Sequence, residues 1–327
     1  MVSAWRRSRT AVCLLAAVLL APTFAIADDG LVLLQRMARA SRQLTYSGVF
    51  VYQTGRRMES SRIAHVYQDG RDQERIEVLD GSPREVIRNG EEMQRFIPDE
   101  NRLVIETHAA QRRFPALLPT GLARLPDYYQ IRWQGYGRVA GLDSRVLVLD
   151  PRDGLRYGWQ FWVDMDSGLL LRSRIVDDQG DQLESFSFTQ VNIGDPLAAN
   201  ALQPGFDSRH VRIQRITAME TTPESQGWSF HVTLPGFQRI IALKRETDDG
   251  RPPSLHVLFS DGVASISAFI EPQPASAKTS PPTPLLTSMG PLSVYHRQVH
   301  DHLLVVMGEV PPMAVKQLGD GVEWKGK

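Results

Sequence analysis

Two carboxylates that lie two residues apart, Asp164 and Asp166, are the first candidates for chemistry in this sequence. A pair of carboxyl groups held close together can act as general acid and general base. The pair belongs, however, to Asp164–Gly168, where Asp and Ser side chains can hydrogen-bond to nearby backbone and glycine can adopt a positive φ. This composition predicts a tight turn between strands in preference to a catalytic pair.

Three histidines within seven residues, His296, His300 and His302, form the second candidate group. Imidazole nitrogens bind zinc, but a structural zinc site takes four ligands and no cysteine lies near these histidines. The carboxylate between them, Asp301, is expected to point away. We therefore interpret them as strand or surface histidines, and the sequence predicts no metal site and no cofactor.

The spacings typical of common enzymes are missing. The chain contains no G-x-S-x-G, H-E-x-x-H, P-loop or dinucleotide-binding glycine pattern, and no serine three residues before a lysine. The sequence thus predicts that the protein is not an enzyme.

A run of large apolar residues in Tyr157–Gln190 points to binding instead. Turn sequences at Asp164–Gly168 and Asp177–Gly180 divide it into three antiparallel strands. Alternation with a period of two places four apolar side chains on one face of the first strand: Tyr157, Trp159, Phe161 and Val163. An apolar sheet face has to be shielded from water by something that packs against it. If that face binds acyl chains, these four are candidate lipid-facing residues; the alternative is ordinary core.

The N-terminus has the pattern of a secretory signal peptide. Arg6, Arg7 and Arg9 precede the apolar run Ala11–Ala21, and a small-x-small cleavage site ends at Ala27. Residues 1–27 are therefore predicted to be removed after Ala27, the alternative being a retained anchor. The apolar run is short for a membrane span, which needs ~20 residues.

The compartment follows from cysteine usage. Cys13 is the single cysteine and lies in the predicted signal peptide, so the mature chain forms no disulfide. An exported protein of this size without disulfides suits the bacterial periplasm. Without the three signal-peptide arginines, 34 basic residues stand against 37 acidic ones, a net charge of −3. This balance gives no reason to expect nucleic acid as a partner.

Periodicity predicts an α+β protein that is mostly antiparallel β, with two domains. An amphipathic helix after Asp29 places four residues on one face: Leu31, Leu34, Met37 and Ala38. Short strands follow, among them Tyr46–Gln53, Arg102–Thr107 and Leu292–Val299. The predicted divisions are residues 28–207, a linker over 208–226 and a second domain over 227–320.

Three irregular segments interrupt the strands. Arg112–Pro126 is predicted to form helical turns or an apolar loop over the sheet. Glu271–Pro291 holds six prolines and is predicted to lack regular structure. Pro311-Pro312 then opens a short helix over Met313–Leu318, which Gly319 is expected to close.

The order of several motifs resembles the RseB/MucB family of periplasmic regulators. In the first part they are Tyr46–Tyr52, Arg138–Gly141, Asp150–Asp153, Arg156–Gly158 and Phe186–Gln190; in the second they are Leu234–Phe237, Asp261–Ala264, Phe269–Glu271 and Gly308–Pro311. The resemblance implies a large N-terminal domain like the lipoprotein carriers, an unclosed β-barrel with helices on its concave side. A small α+β C-terminal domain follows.

The resemblance also implies a function. Family members hold the periplasmic part of a single-pass anti-sigma factor of the RseA/MucA type and shield it from proteolysis. They thereby repress the envelope-stress sigma factor, and lipopolysaccharide or another lipid is the expected release signal. The alternatives are a periplasmic lipid or lipoprotein carrier, which would not need the second domain, and a hydrolase with an unrecognised site. The sequence leaves open whether the protein forms a homo-oligomer.

Overall fold

The computed structural model describes residues 23–107, 122–273 and 283–326. The helices are α1 (Thr23–Gln43), α2 (Leu125–Tyr128) and α3 (Pro312–Asp320). The strands of the first part are β1 (Tyr46–Thr54), β2 (Arg57–Gln68), β3 (Arg71–Val78), β4 (Glu85–Asn89), β5 (Glu92–Ile97), β6 (Arg102–Thr107), β7 (Tyr129–Val139), β8 (Leu142–Pro151), β9 (Gly158–Asp164), β10 (Leu170–Val176) and β11 (Gln182–Ile193). Those of the second part are β12 (Arg212–Glu220), β13 (Trp228–Phe230), β14 (Gln238–Thr247), β15 (Ser254–Ser260), β16 (Ser265–Pro272), β17 (Leu285–Met289), β18 (Leu292–Val299), β19 (His302–Glu309) and β20 (Val322–Trp324).

Strands β1–β11 form one antiparallel sheet, the N-terminal sheet. Their spatial order is β7-β8-β9-β10-β11-β1-β2-β3-β4-β5-β6, so β7 and β6 are its two ends. In the part of the chain that the structure describes, these end strands do not pair with each other, and the sheet stays unclosed. The mostly antiparallel, unclosed architecture predicted from the sequence is confirmed.

Strand β12 connects this sheet to the second one. It pairs in parallel with β6, from Arg212 opposite Arg102 to Thr217 opposite Thr107, and antiparallel with β14. The C-terminal sheet then runs β12-β14-β15-β16-β19-β18-β17. Helix α3 packs against β18 and β19, and β13 pairs with β20 in a separate small sheet.

Two details of the second part differ from the sequence prediction. The prediction that Glu271–Pro291 lacks regular structure is wrong at its first two residues, which end β16, and over Leu285–Met289, which contains no proline and pairs as edge strand β17 with β18. Residues 274–282 of that segment lie outside the described residues. Gly319 does not close α3, which ends at Asp320. A Cβ at Gly319 would lie 2.5 Å from Tyr295 Cδ1, so packing requires this glycine.

The segment predicted as a linker, 208–226, contains a nine-residue strand, β12. The stretch predicted to lie over the sheet, 112–126, falls largely outside the described residues. Its described end forms a 3₁₀ turn at Leu122–Arg124 followed by α2. None of the helices described is long and apolar enough to cross a membrane.

Candidate functional site

Helix α1 lies on one face of the N-terminal sheet, and the apolar residues beneath it form what we call the covered face. Leu34 and Met37 of α1 are fully buried there, with Leu31 and Ala38 partly buried beside them, as their helical spacing predicts. Facing them are buried side chains of β7, β8, β9 and β10: Tyr129, Ile131, Leu147, Leu149, Trp159, Phe161, Val163, Leu170 and Ile175. Burial of this large apolar area stabilises the fold.

Three of the four candidate lipid-facing residues come together in the covered face. The exposed fractions of Trp159, Phe161 and Val163 are 4%, 2% and 0%. The Trp159 and Phe161 rings stack with centroids 5.5 Å apart. The buried Trp159 Nε1 has no hydrogen-bond partner among the described residues. Tyr157 packs against the edge of this cluster and is half-buried.

The turn after β9 fastens α1 to the sheet. The Arg36 guanidinium donates to the backbone carbonyl of Asp166, and its aliphatic part lies against Gly168, whose φ is +81°. The Asp164 carboxylate accepts from the Ser167 amide at 2.7 Å and from the Ser167 hydroxyl at 2.6 Å. Asp164 and Asp166 therefore serve as turn residues, as their sequence predicts.

The three histidines occupy different positions around one strand pair. His296 lies in β18, His300 in the following turn with a φ of +50°, and His302 begins β19. The His302 ring centroid lies 5.1 Å from that of Trp228 and 5.4 Å from that of Trp324. In the described part of the chain, no cluster of three or more metal-binding side chains occurs.

A buried polar cluster lies between the two sheets, and we call it the buried joint. The side chains of Arg156 and Asp261 are both 0% exposed, and Arg156 Nε donates to Asp261 Oδ2 at 2.7 Å. Arg156 also donates to the Asp153 carboxylate and to the Pro235 carbonyl oxygen. The Tyr129 hydroxyl donates to Asp261 Oδ2 at 3.1 Å. Both buried charges are thus met by opposite charge and hydrogen bonds, as burial requires.

The electrostatics of the buried joint follow from this arrangement. Burial raises the pKa of Tyr129 well above its ordinary value, and the charge of Asp261 raises it further. Burial by itself would lower the pKa of Arg156, but the charge and hydrogen bond of Asp261, together with Tyr129 and Asp153, leave the net pKa raised. Tyr129 and Arg156 therefore stay protonated at neutral pH.

Aromatic packing surrounds the Arg156 guanidinium. Its Cζ lies 4.8 Å from the Tyr128 ring centroid and 5.0 Å from that of Phe237, within the range of cation–π attraction. Gly236 has a φ of +81°, and a Cβ there would lie 2.5 Å from the Tyr128 ring. The turn at Leu234–Phe237 therefore needs a glycine at position 236 in order to pack against the N-terminal sheet.

The two sheets meet at three further places. Glu106 of β6 accepts from Arg245 of β14, with Nη2 2.9 Å from Oε1. Glu184 of β11 and Glu309 of β19 line one cavity and repel each other electrostatically. Tyr157 also reaches the C-terminal sheet, where its hydroxyl lies near the Ser293 side chain.

Sequence reasoning did not find the residues of the buried joint as a group. Arg156 and Asp261 both stand in motifs that carry the family resemblance, but 105 positions separate them. A single sequence gives no indication that two such distant residues pair. The glycine of Leu234–Phe237 and the carboxylate of Asp261–Ala264 mark turns, and only the fold shows that both turns face Arg156.

These features define a class: a protein of two linked antiparallel sheets, one with a helix-covered apolar face, held together through a buried polar joint. The family model of the MucB/RseB N-terminal domain matches residues 29–206, and that of the MucB/RseB C-terminal domain matches residues 222–323. The chain belongs to the MucB/RseB family.

Individual relatives match over nearly the whole chain. MucB of Pseudomonas aeruginosa, named a regulatory protein of the sigma factor AlgU, is 30% identical over 310 residues, covering 92% of this chain and 93% of its own. RseB of Salmonella typhimurium, named a sigma-E factor regulatory protein, is 29% identical over 295 residues, covering 90% of each. The solved complex of Pseudomonas aeruginosa MucA with MucB superposes with a TM-score of 0.69 at 29% identity, covering 91% of this chain and 100% of that chain.

Proposed function

We propose that this protein is an exported regulator that binds the periplasmic part of a membrane anti-sigma factor. Binding shields that segment from proteolysis and so represses the envelope-stress sigma factor. The observation that carries this proposal is the similarity, over 91% of the chain, to MucB solved as a complex with MucA. A second solved structure, of MucB with MucA(peri), matches with a TM-score of 0.67 at 28% identity.

The location follows from the N-terminal pattern. A regulator of this kind has to share a compartment with its partner, and a signal peptide over residues 1–27 supplies the route to the periplasm. We place the two domains over residues 28–207 and 227–320, with β12 in the connection between them.

We further propose that lipid acts through the covered face. Acyl chains bind in apolar, mostly preformed sites, and Tyr157, Trp159, Phe161 and Val163 are the lining we expect. Because three of these side chains are fully packed under α1, a lipid has to displace part of that cover to reach them. Lipopolysaccharide or another lipid that binds the uncovered state would shift the balance between two states that differ in partner affinity.

A lipid or lipoprotein carrier is the second candidate function. The covered apolar face of the N-terminal sheet favours it. The C-terminal sheet, joined to the first by buried contacts, is not needed for carriage and so favours the regulator.

Calorimetric titration of residues 28–327 with the periplasmic segment of the host's anti-sigma factor tests the proposal. Binding in the micromolar range or tighter, about −8 kcal/mol or more favourable, supports the regulator. Weakening of that binding when lipopolysaccharide is added supports the lipid signal. Absence of binding to the segment, with lipid still bound, would overturn the regulator in favour of the carrier.

A further inference from the structure

Two arginines of β10, Arg172 and Arg174, lie on the face of the N-terminal sheet that is turned away from the covered face. Side chains alternate between the two faces of a strand, and Ser173 stands between the two arginines. Ser173 is opposite Phe161 of the covered face, whereas Arg172 is opposite Trp162 on the other face. We call Arg172 and Arg174 the arginine pair.

Both guanidinium groups of the arginine pair pack around a single indole ring. The Cζ atoms of Arg172 and Arg174 lie 5.5 Å and 5.1 Å from the centroid of the Trp162 ring, within the range of cation–π attraction. A Cβ at Gly137 of β7 would lie 2.8 Å from Trp162 Cδ1, so the indole itself packs directly on the backbone of β7. The two positive charges are thereby held close together by a ring that the sheet fixes in place.

The arginine pair has no carboxylate partner in the described part of the chain. Arg172 Nε donates to Ser187 Oγ at 3.0 Å, and the buried Nε of Arg174 has no hydrogen-bond partner among the described residues. Asp164, two residues beyond Trp162 on β9, accepts from Ser167 in its own turn. The cross-strand neighbours of the pair are all uncharged: Gln160, Trp162, Ser185 and Ser187.

Two other arginines on the same face are each neutralised. Arg62 lies directly opposite Glu77, and its Nη1 is 2.9 Å from Glu77 Oε2. Arg132 makes an ion pair with Asp150. Arg132 also stands in the same row across the sheet as Arg174, two strands away. The absence of a counter-charge is therefore particular to the arginine pair and is not general to this face.

Two like charges held side by side are unfavourable for the folded protein. Burial first, and the charge of Arg174 second, lower the pKa of Arg172. Both guanidinium groups nevertheless stay charged at neutral pH, because the ordinary pKa of arginine lies above 12. An anion bound between them would remove the repulsion, and unfavourable charge arrangements of this kind are typical of functional sites.

A phosphate group suits the donors that this site offers. A guanidinium group donates through a planar fork, and two adjacent forks match the several oxygens of a tetrahedral anion better than the two oxygens of a carboxylate. Both terminal nitrogens of Arg172 remain after its Nε has bonded to Ser187. Ser185, opposite Arg174, places a hydroxyl group at the edge of the same site.

We propose that Arg172 and Arg174, packed on Trp162, form a binding site for a phosphate group on this face of the N-terminal sheet. Free phosphate and a phospholipid headgroup share this chemistry, and the experiment distinguishes them. The site lies on the other face from the acyl-chain lining proposed above. It goes beyond the regulator function and does not depend on it.

Titration of residues 28–327 with inorganic phosphate, against chloride at constant ionic strength, tests the site. Binding should shift the NMR signals of the Arg172 and Arg174 Nε–H groups. It should also raise the urea midpoint, because a ligand that binds only the folded state stabilises it. At about ten times the Kd, the ratio of folded to unfolded protein should rise about elevenfold. Acetate should have a smaller effect; an equal effect would contradict a phosphate site and indicate an acidic partner segment instead.

Three variants and a matched control identify the residues responsible. R172Q and R174Q should each weaken phosphate binding by about tenfold or more, because each removes a charge-assisted contact. R172K/R174K keeps both charges but loses the planar forks, so it should also bind phosphate more weakly than the wild type. R132Q removes the same charge from the same face, but from an ion pair, and should change the Kd by no more than about twofold.

Sedimentation with vesicles distinguishes the two sources of phosphate. Pelleting with vesicles of phosphatidylcholine and phosphatidic acid, but not of phosphatidylcholine alone, would identify a lipid headgroup if R172Q/R174Q abolishes it. Binding of inorganic phosphate without pelleting would identify a soluble phosphate compound. Absence of both, or binding that R172Q/R174Q retains at the level of R132Q, would overturn the proposal.

Discussion

Replacement of Arg156 by methionine is the sharpest perturbation of the buried joint. The substitution keeps much of the side-chain volume but removes the charge from a site where Arg156 and Asp261 are both 0% exposed. Asp261 is then left buried with the Tyr129 hydroxyl and two backbone amides as donors and no cation. The carbonyl oxygen of Pro235 also loses its donor.

The expected loss of stability follows from this geometry. Removing one partner of a buried ion pair costs about 3–5 kcal/mol because the remaining charge is uncompensated. The three hydrogen bonds and the aromatic contacts of Arg156 are not counted in addition to that range, because the energies of contacts within one network do not add. At a slope of about 2–3 kcal/mol per M, the urea midpoint should fall by ~1–2.5 M.

The assay is urea unfolding followed by tryptophan fluorescence, with a matched control. Arg62 pairs with Glu77 at 2.9 Å on the same sheet, but its side chain is 54% exposed, so R62M should cost no more than about 1 kcal/mol. D261N keeps the oxygen that caps the Val263 and Ala264 amides, and R156M/D261N should be more stable than R156M. An R156M cost no larger than that of R62M, or no recovery in the double variant, would refute the reasoning.

Three further substitutions test other parts of the fold. F161A should lower the free energy of unfolding by about 3–5 kcal/mol and weaken lipid binding, as measured by urea titration and lipid titration; full stability would place Phe161 outside the core. G236A should destabilise by about 1–3 kcal/mol because of its positive φ and the nearby Tyr128 ring, with G250A, where the surroundings are open, as a control for backbone strain alone. Burial lowers the pKa of His302 from 6.5, so its contribution to stability is lost as the pH falls below that value. The urea midpoint of H302F should therefore depend less on pH between 5 and 8 than that of the wild type, and equal dependence would contradict this.

Local pattern was enough to predict most strands and the packing of α1. Arg102–Thr107 and Leu292–Val299 form strands with the predicted bounds, and Leu34 and Met37 face the sheet as their spacing indicates. These features depend on periodicity within a few residues, which a single sequence displays directly.

Features that depend on distant residues could not be predicted in this way. The pairing of Arg156 with Asp261 and the meeting of Glu184 with Glu309 depend on how the sheets come together. The strand at Leu285–Met289 was missed because the surrounding prolines dominate the composition, although its own five residues contain none. Tyr157 was grouped with Trp159 by alternation, but it precedes β9 and its hydroxyl reaches the C-terminal sheet.

Strand β12 constrains how the N-terminal and C-terminal sheets can move relative to each other. Its backbone is hydrogen-bonded to β6 on one side and to β14 on the other. Separation along this strand would break all the backbone hydrogen bonds between two neighbouring strands at once, whereas the buried joint depends on a few side chains. The two sheets are therefore expected to rotate relative to each other with β12 as the hinge. Displacement then grows with distance from that axis, so a small rotation at β12 becomes a large movement at the edge strand β17.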